Sequence, residues 1–265
     1  MPLNLFQYDF VVRGFEAGIA VALIAPLIGM FLVLKRYALI ADTLAHVSLA
    51  GIALGLLAGV NPPIAALVTT VLASLGIERL RASRRVYGES ALALFLSGSL
   101  ALAVVLLGLA KGLNASLFNY LFGSIVTVTA GDVRIILALG AVVVAAVMLF
   151  YKEFLFTTFD EEAARVSGVP VAFITTLLMV LAALTVSISI PIVGVLLIAA
   201  LIVIPAITAL QFKKGFTQTI MYAEVFSLVS VVAGMAASFY LNLSSGGTIV
   251  LIMLGIYGAV LWLRR

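Results

Sequence analysis

Long apolar runs are the feature that most constrains the fold of this 265-residue chain. Between clusters of charged, glycine and proline residues the runs extend for about 17 to 25 residues, the length that carries an α-helix across roughly 30 Å of hydrocarbon. Apolar residues make up 65% of the sequence and charged residues 10%, which leaves too few polar side chains to cover a water-soluble globule. Barrel strands would be shorter and would alternate in polarity. We therefore expect an all-α, polytopic transmembrane helical bundle.

The charge and proline pattern divides the chain into nine candidate spans, and no internal repeat or low-complexity linker separates them into domains. The link at 187–194 (SISIPIVG) is so short that the two segments around it could form a broken or re-entrant unit, which would leave eight spans. We expect one transmembrane domain over residues 1–265. The nine spans are approximately 11–34, 38–60, 62–80, 88–110, 131–151, 170–189, 192–210, 217–241 and 247–263.

The basic residues predict the orientation, because short loops rich in Lys and Arg stay in the cytoplasm. A multi-pass protein of the cell membrane, with its N-terminus outside and its C-terminus in the cytoplasm, is the expected arrangement. The first ten residues (MPLNLFQYDF) lack a basic region and a cleavage site, so we expect no removable signal and a retained first helix. Nine spans then leave outside only Arg13, Lys111 and Arg134, and place inside Lys35, Arg36, Arg79, Arg81, Arg84, Arg85, Lys152, Arg165, Lys213, Lys214, Arg264 and Arg265.

Several classes of chemistry are disfavoured by composition. The chain has no cysteine, so disulfides, thiolate metal sites and thiol catalysis are excluded. A net charge of +4 is small and scattered, whereas nucleic-acid binding needs a clustered basic face. The sequence contains neither a glycine-rich phosphate loop followed by Lys and Ser or Thr nor an HExxH motif. We therefore expect no enzyme, no nucleic-acid partner and no permanently bound cofactor.

The second span, 40–59 (IADTLAHVSLAGIALGLLAG), carries the strongest local signal. Asp42 and His46, the only histidine, are four residues apart and so lie one above the other on the same helical face. A carboxylate oxygen and an imidazole nitrogen together suit zinc, manganese or iron. A charged residue inside a span costs about 2.5 to 3.5 kcal/mol and usually has a function. A metal site is favoured over hydrogen bonds to neighbouring helices or to each other, and over a salt bridge of Asp42 with Lys35 or Arg36.

Three glycines on the same helix, Gly51, Gly55 and Gly59, recur every four residues, a pattern that lets another backbone approach closely. At 100° per residue their mean direction is opposite to that of Asp42 and His46. We expect the glycine face to pack and the other face to be free to line a pathway.

Two other acids, Glu16 and Glu224, lie deep in predicted spans and are candidate pathway residues. Glu16 could instead pair with Arg13 on the same helix face. Glu224 has no obvious basic partner within two turns.

Two connections have features of their own. The outer stretch 113–130 is half apolar and too interrupted to span, so we expect it to lie against the mouth of the bundle. The inner link 151–169 contains an amphipathic stretch, 160–167, that reads as a short helix ended by Gly168 and Pro170.

Five blocks in this order resemble the permease subunits of bacterial zinc and manganese ABC importers. The resemblance covers nearly the whole chain and implies a type II ABC importer permease fold. It further implies a homodimer, or a pair of similar permeases, with the pathway between the copies, two cytoplasmic ATPase subunits and an extracytoplasmic metal-binding protein. The blocks are 28–46 (IGMFLVLKRYALIADTLAH), 47–62 (VSLAGIALGLLAGVNP), 120–129 (YLFGSIVTVT), 161–169 and 193–209 (VGVLLIAALIVIPAITA).

The resemblance also implies roles for particular residues. The Asp and His of the family's second helix fall on Asp42 and His46. The sequence departs from the family at Asn242 and Ser244, where many members carry Asp and Pro, and 89–100 lacks the extra histidine of some zinc members; both departures put a richer ligand shell in doubt. The block at 159–168 resembles the coupling helix that seats in a groove of the ATPase, and its candidate residues are Phe159, Asp160, Glu161, Glu162, Arg165 and Gly168.

The expected function is ATP-driven import of a divalent transition metal by alternating access. The run ADTLAHVSLAG is most similar to zinc-type members, so zinc is favoured and manganese comes next. One rival is a secondary transporter that uses an ion gradient through Glu16, Asp42 and Glu224 and needs no ATPase. The other rival is a structural membrane scaffold. In a scaffold, Asp42→Ala and His46→Ala would change only the stability of the protein.

Overall fold

The computed structural model describes residues 7–83, 87–109 and 115–264, and within these ranges it contains helices and no strands. Eight of the helices there are long and apolar enough to cross a membrane, which confirms the predicted transmembrane bundle. Arg84, Arg85, Lys111 and Arg265, which entered the orientation argument, lie outside the described residues. The eight long helices are α1 (Asp9–Leu34), α2 (Leu39–Ala58), α3 (Pro62–Ala82), α4 (Gly88–Leu109), α6 (Ala130–Leu149), α9 (Val171–Val193), α11 (Phe216–Leu241) and α12 (Ser245–Leu263).

Four shorter helices complete the described chain: α5 (Ala115–Phe122), α7 (Tyr151–Phe159), α8 (Glu161–Val166) and α10 (Ile198–Leu210). A single 3₁₀ turn, Ile125–Thr127, follows α5. We call the end of the bundle that holds α5 the α5 end, and the end that holds α8 the α8 end. The starts of α1 and α12 are at the α5 end, and their last residues are at the α8 end.

The seventh predicted span is shorter than expected. Helix α9 continues through Pro191 to Val193, and α10 begins only at Ile198 and has 13 residues. The chain therefore breaks only at the last residue of the predicted link 187–194, and the eight long helices agree with the eight-span alternative. Pro191 removes one N–H from the helix ladder without ending the helix. The chain turns instead at Gly194, whose φ of +82° is a conformation that side-chain-bearing residues rarely adopt.

Helix α10 nevertheless connects the two ends of the bundle. At the α5 end, the Val195 N–H donates to the Tyr120 carbonyl at 2.9 Å. At the α8 end, the Arg264 guanidinium donates to the Gln211 carbonyl, just beyond α10, at 3.1 Å. A 13-residue helix is about 20 Å long, so α10 and the turn before it together cover most of the distance that a full span would cover.

The segment between α4 and α6 packs on the turn between α9 and α10. The Ser124 N–H donates to the Pro191 carbonyl at 3.1 Å, and the Leu196 N–H donates to the Leu121 carbonyl at 3.2 Å. These bonds satisfy backbone groups that would otherwise be unpaired near the membrane. The described part of 113–130 thus lies against the mouth of the bundle, as its half-apolar pattern predicts.

Burial is uneven among the spans. Helices α1, α2 and α9 bury 67%, 72% and 67% of their apolar windows, whereas α4 buries 11%. The first three form the centre of the chain. An apolar helix that is so little covered must face lipid or another protein.

Candidate functional site

Asp42 and His46 lie in the first two turns of α2, next to the α8 end. The Asp42 Oδ1 atom is 3.8 Å from the His46 Nε2 atom, and the two side chains are 40% and 17% exposed in a helix that is otherwise largely buried. A separation of 3.8 Å is too long for a hydrogen bond. The carboxylate and the imidazole therefore face the same gap without satisfying each other.

The remaining polar atoms of this pair have no protein partner in the described part of the chain. The His46 Nδ1 atom is buried and makes no hydrogen bond there. Lys35, which could have paired with Asp42, contacts Glu161 instead, at 3.9 Å. Buried polar groups are nearly always paired, so the buried Nδ1 atom is open to a further partner, whereas the Asp42 carboxylate is 40% exposed and accessible to water.

The pair alone is an incomplete metal shell. Among the described residues, no group of three or more His, Cys, Asp or Glu side chains is close enough to hold a metal ion. Zinc sites usually have four ligands, or three and a water. Asp42 and His46 of one chain are therefore too few to complete such a site by themselves.

The opposite face of α2 packs against α3. A Cβ atom on Gly51 would lie 2.7 Å from the Ala66 Cα atom, and one on Gly55 would lie 2.8 Å from the Pro62 Cα atom. The prediction that Gly59 also packs against another helix is wrong. Gly59 ends α2 in a left-handed conformation (φ +68°), and an added Cβ would meet nothing within 4 Å. Its role is to turn the chain towards α3.

The two other candidate acids are separate from this pair. Glu16 is exposed on the same side of α1 as Ile19 and Leu23, and within the described ranges no ion pair joins it to Arg13. Glu224 is half-buried in α11. The structure brings neither acid into a group with Asp42 and His46.

The segment that resembles a coupling helix consists of two helices. Phe159 is the last residue of α7 and is 65% exposed. Asp160 is the N-cap of α8, where its Oδ1 atom accepts a hydrogen bond from the Ala163 N–H at 2.8 Å. Glu161, Glu162 and Arg165 lie in α8, and Gly168 follows it with a φ of +87°. The predicted helix at 160–167 is thus a cap and six helical residues.

An ionic contact that the sequence did not reveal joins α8 to the end of α1. The Lys35 Nζ atom lies 3.9 Å from Glu161 and donates to the Thr157 carbonyl at 3.1 Å, although the Lys35 side chain is only 5% exposed. Burial lowers the pKa of the Lys35 amine, and the Glu161 carboxylate opposes this shift. Lys35 and Thr157 are 122 residues apart in the sequence, so no local pattern could have indicated the contact.

A second polar group links the α1–α2 connection to α3. Arg81 donates two hydrogen bonds of 2.8 Å to the Glu78 carboxylate and one to the Tyr37 hydroxyl. Its guanidinium also lies 4.9 Å from the centre of the Tyr37 ring. These side chains, with Glu161 and Arg165, line a cavity of about 830 Å³ at the α8 end.

Comparison with known proteins assigns the family. A model described as "ABC 3 transport family" matches residues 7–264 of this chain. The chain belongs to the ABC 3 transport family. ABC 3 members of this kind are the permease subunits of ABC transporters, so the chain is a membrane-spanning permease subunit and not the subunit that hydrolyses ATP.

Curated relatives of this ABC 3 chain are named as metal transport proteins. A "Probable metal transport system membrane protein" of Treponema pallidum is 40% identical over 92% of this chain and 91% of its own length. The "Manganese transport system membrane protein MntC" of Listeria monocytogenes is 31% identical over 94% and 89%. The "High-affinity zinc uptake system membrane protein ZnuB" of Haemophilus influenzae is 31% identical over 92% and 94%.

A solved structure shows the same fold. The structure of "PsaBC from Streptococcus pneumoniae in complex with Fab" superimposes with a TM-score of 0.87 at 30% identity, covering 97% of this chain and 92% of that one. The type II ABC importer permease-like architecture expected from the sequence is thereby confirmed.

Proposed function

We propose that this permease subunit moves a divalent transition metal, zinc or manganese, into the cytoplasm by alternating access. The observation that carries the proposal is the Asp42 and His46 pair, whose facing atoms are 3.8 Å apart and whose buried Nδ1 atom has no partner in the described chain. Oxygen and nitrogen ligands of this kind suit both metals. Relatives named for manganese and for zinc agree with this ligand set.

The proposed assembly contains a second copy of the chain, two ATPase subunits in the cytoplasm and an extracytoplasmic metal-binding protein. A homodimer offers a second Asp42 and His46 pair, so an ion meets at most two ligands from each chain. The poorly buried helix α4 shows that a large apolar surface of the single chain is uncovered, which leaves room for both a second copy and lipid.

The proposed orientation places the α8 end and the C-terminus in the cytoplasm. The distribution of basic residues supports it, because positive charge is retained on the cytoplasmic side. Among the described residues, Arg13 and Arg134 belong to the half nearer the α5 end. Those nearer the α8 end are Lys35, Arg36, Arg79, Arg81, Lys152, Arg165, Lys213, Lys214 and Arg264.

The proposed coupling segment, from Phe159 through α8 to Gly168, would seat against the ATPase. Its surface supports this role, since Phe159 and Val166 are 65% and 90% exposed beside the charged side chains of α8. Apolar and charged side chains are therefore both accessible to a partner on this segment.

Uptake of radioactive zinc and manganese by vesicles tests the source of energy. Vesicles that hold the chain with its ATPase and binding protein should accumulate metal only when ATP is enclosed in the lumen, on the side that the ATPase faces. Vesicles that hold the chain alone should accumulate none when a proton gradient is applied. Gradient-driven uptake by the chain alone would instead establish the secondary transporter.

A further inference from the structure

We infer that Lys35 is a positioning residue that transmits the movement of α8 to the helix carrying Asp42 and His46. This inference rests on the proposed function, because it assumes that an ATPase acts on α8. It assigns a role in energy coupling to Lys35, which is neither one of the proposed metal ligands nor a member of the coupling segment.

The first step is the contact between α8 and Lys35. The amine bridges two elements of the proposed coupling segment, since it lies 3.9 Å from the Glu161 carboxylate of α8 and donates to the Thr157 carbonyl of α7 at 3.1 Å. With its side chain only 5% exposed, the amine has little water to replace a lost partner. The hydrogen bond to the Thr157 carbonyl is the more shielded of the two contacts, since the Glu161 side chain is 40% exposed and also accepts a hydrogen bond from Arg165 at 3.2 Å.

The second step is the short connection between α1 and α2. Only residues 35–38 separate Leu34 from Leu39. The Lys35 N–H donates to the Phe31 carbonyl at 3.0 Å, and the Tyr37 N–H donates to the Leu32 carbonyl at 2.7 Å. Because these bonds close a tight turn, a displacement of Lys35 cannot be absorbed by slack and must move the start of α2.

The third step is the distance from this turn to the metal pair. Asp42 is the fourth residue of α2 and His46 is the eighth, so they lie about 5 and 10 Å from its first residue at 1.5 Å per residue. A helix of this length moves as a rigid element. Movement of its first turn therefore changes the position of both side chains.

Helix α3 is connected to the same turn through Tyr37. The Tyr37 hydroxyl accepts a hydrogen bond from Arg81, which is held in turn by the buried Glu78 of α3. Helix α3 also packs on the glycine face of α2 at Gly51. The same turn thus joins α1, α2 and α3, and Lys35 is its contact with α8.

Aromatic packing also connects α7 to α1, and the experiment must distinguish its effect from that of the Lys35 contact. The Phe31 ring of α1 lies 5.5 Å from Phe154 of α7 and 5.3 Å from Phe216 of α11, measured between ring centres. These contacts hold α7 against α1 whether or not Lys35 is present. Replacing Lys35 alone leaves them in place.

The experiment measures metal transported per ATP hydrolysed by the complete complex in vesicles. Lys35→Met should still assemble with the ATPase and hydrolyse ATP, but the ratio should fall by about tenfold, a typical size for coupling between sites. Glu161→Ala should also lower the ratio. The double variant should lower it by less than the product of the two separate effects, because the changes share the Lys35–Glu161 contact while each also removes another, with the Thr157 carbonyl or with Arg165. Lys152→Met is the matched control, since Lys152 is an exposed lysine of α7, and it should keep the wild-type ratio.

A covalent replacement tests the contact without relying on a single variant. The chain has no cysteine, so a Lys35→Cys, Glu161→Cys variant can be joined specifically by a bifunctional thiol reagent. The unlinked variant should be uncoupled, and the linked one should recover metal transport per ATP. A wild-type ratio in Lys35→Met, additive effects of the two single variants, or no recovery after linking would each overturn the inference. Absence of metal uptake by the wild-type complex would instead overturn the proposed function.

Discussion

At the scale of single residues, Asp42 and His46 differ from Glu16 and Glu224 in their surroundings. All four carry polar side chains inside long apolar helices. Only the first two lie close enough to share a ligand, with 3.8 Å between Oδ1 and Nε2. The i, i+4 spacing predicts this closeness from the sequence, whereas nothing in the sequence decides whether an isolated acid such as Glu224 faces a pathway.

The glycine face of α2 leads to a prediction about packing. Gly51→Ala should destabilise the protein by about 1–3 kcal/mol, because the added methyl group would meet the Ala66 Cα atom at 2.7 Å and backbone cannot move aside easily. Gly108→Ala in α4 is the control. Nothing lies within 4 Å of its Cβ position, so it should be neutral or stabilising by up to about 1 kcal/mol. Thermal unfolding of the purified protein in detergent measures both, and equal effects would contradict the close packing of α2 on α3.

At the scale of secondary-structure elements, the six-residue helix α8 depends on its N-cap. Asp160→Ala should cost the helix about 1 kcal/mol, because it removes the acceptor of the Ala163 N–H. Hydrogen exchange at 161–166 should become faster, and the ATPase should bind more weakly. Asp160→Asn is the matched control, since asparagine caps as well as aspartate and should keep both properties. Loss of ATPase binding in Asp160→Asn with unchanged exchange would show that the carboxylate charge, and not the helix, makes the contact.

Most element boundaries follow from the sequence because the thickness of the membrane sets the length of each apolar run. The span predicted at 62–80 is found at Pro62–Ala82, and that predicted at 217–241 is found at Phe216–Leu241. The break lies at the end of the predicted link 187–194 and not at Pro191, because a proline removes one hydrogen bond, whereas the positive φ of Gly194 redirects the chain. Sequence patterns also could not show Lys35 meeting Thr157, since tertiary packing brings together residues that are 122 positions apart.

At the scale of the whole molecule, the arrangement of α10 predicts which connections lie on the same side of the membrane. A single cysteine at Val126, which is 63% exposed near the α5 end, should react with a membrane-impermeant thiol reagent added to intact cells. A cysteine at Lys214, in the exposed connection between α10 and α11, should react only after the cells are permeabilised. The cysteine-free sequence makes each label specific. Reaction of both positions from outside would show that α10 returns to the side on which it began.

The assembled transporter provides the most direct test of the central claim, that the metal passes Asp42 and His46. The measurement is ATP-dependent uptake of radioactive zinc and manganese by vesicles holding the permease, its ATPase and its binding protein, with wild type compared to Asp42→Ala, His46→Ala and the exposed acid control Glu89→Gln. Uptake of one metal should be lost in the Asp42 and His46 variants and retained in Glu89→Gln, while all four proteins still bind the ATPase. Uptake that survives both alanine substitutions would contradict the account and leave Asp42 and His46 as packing residues.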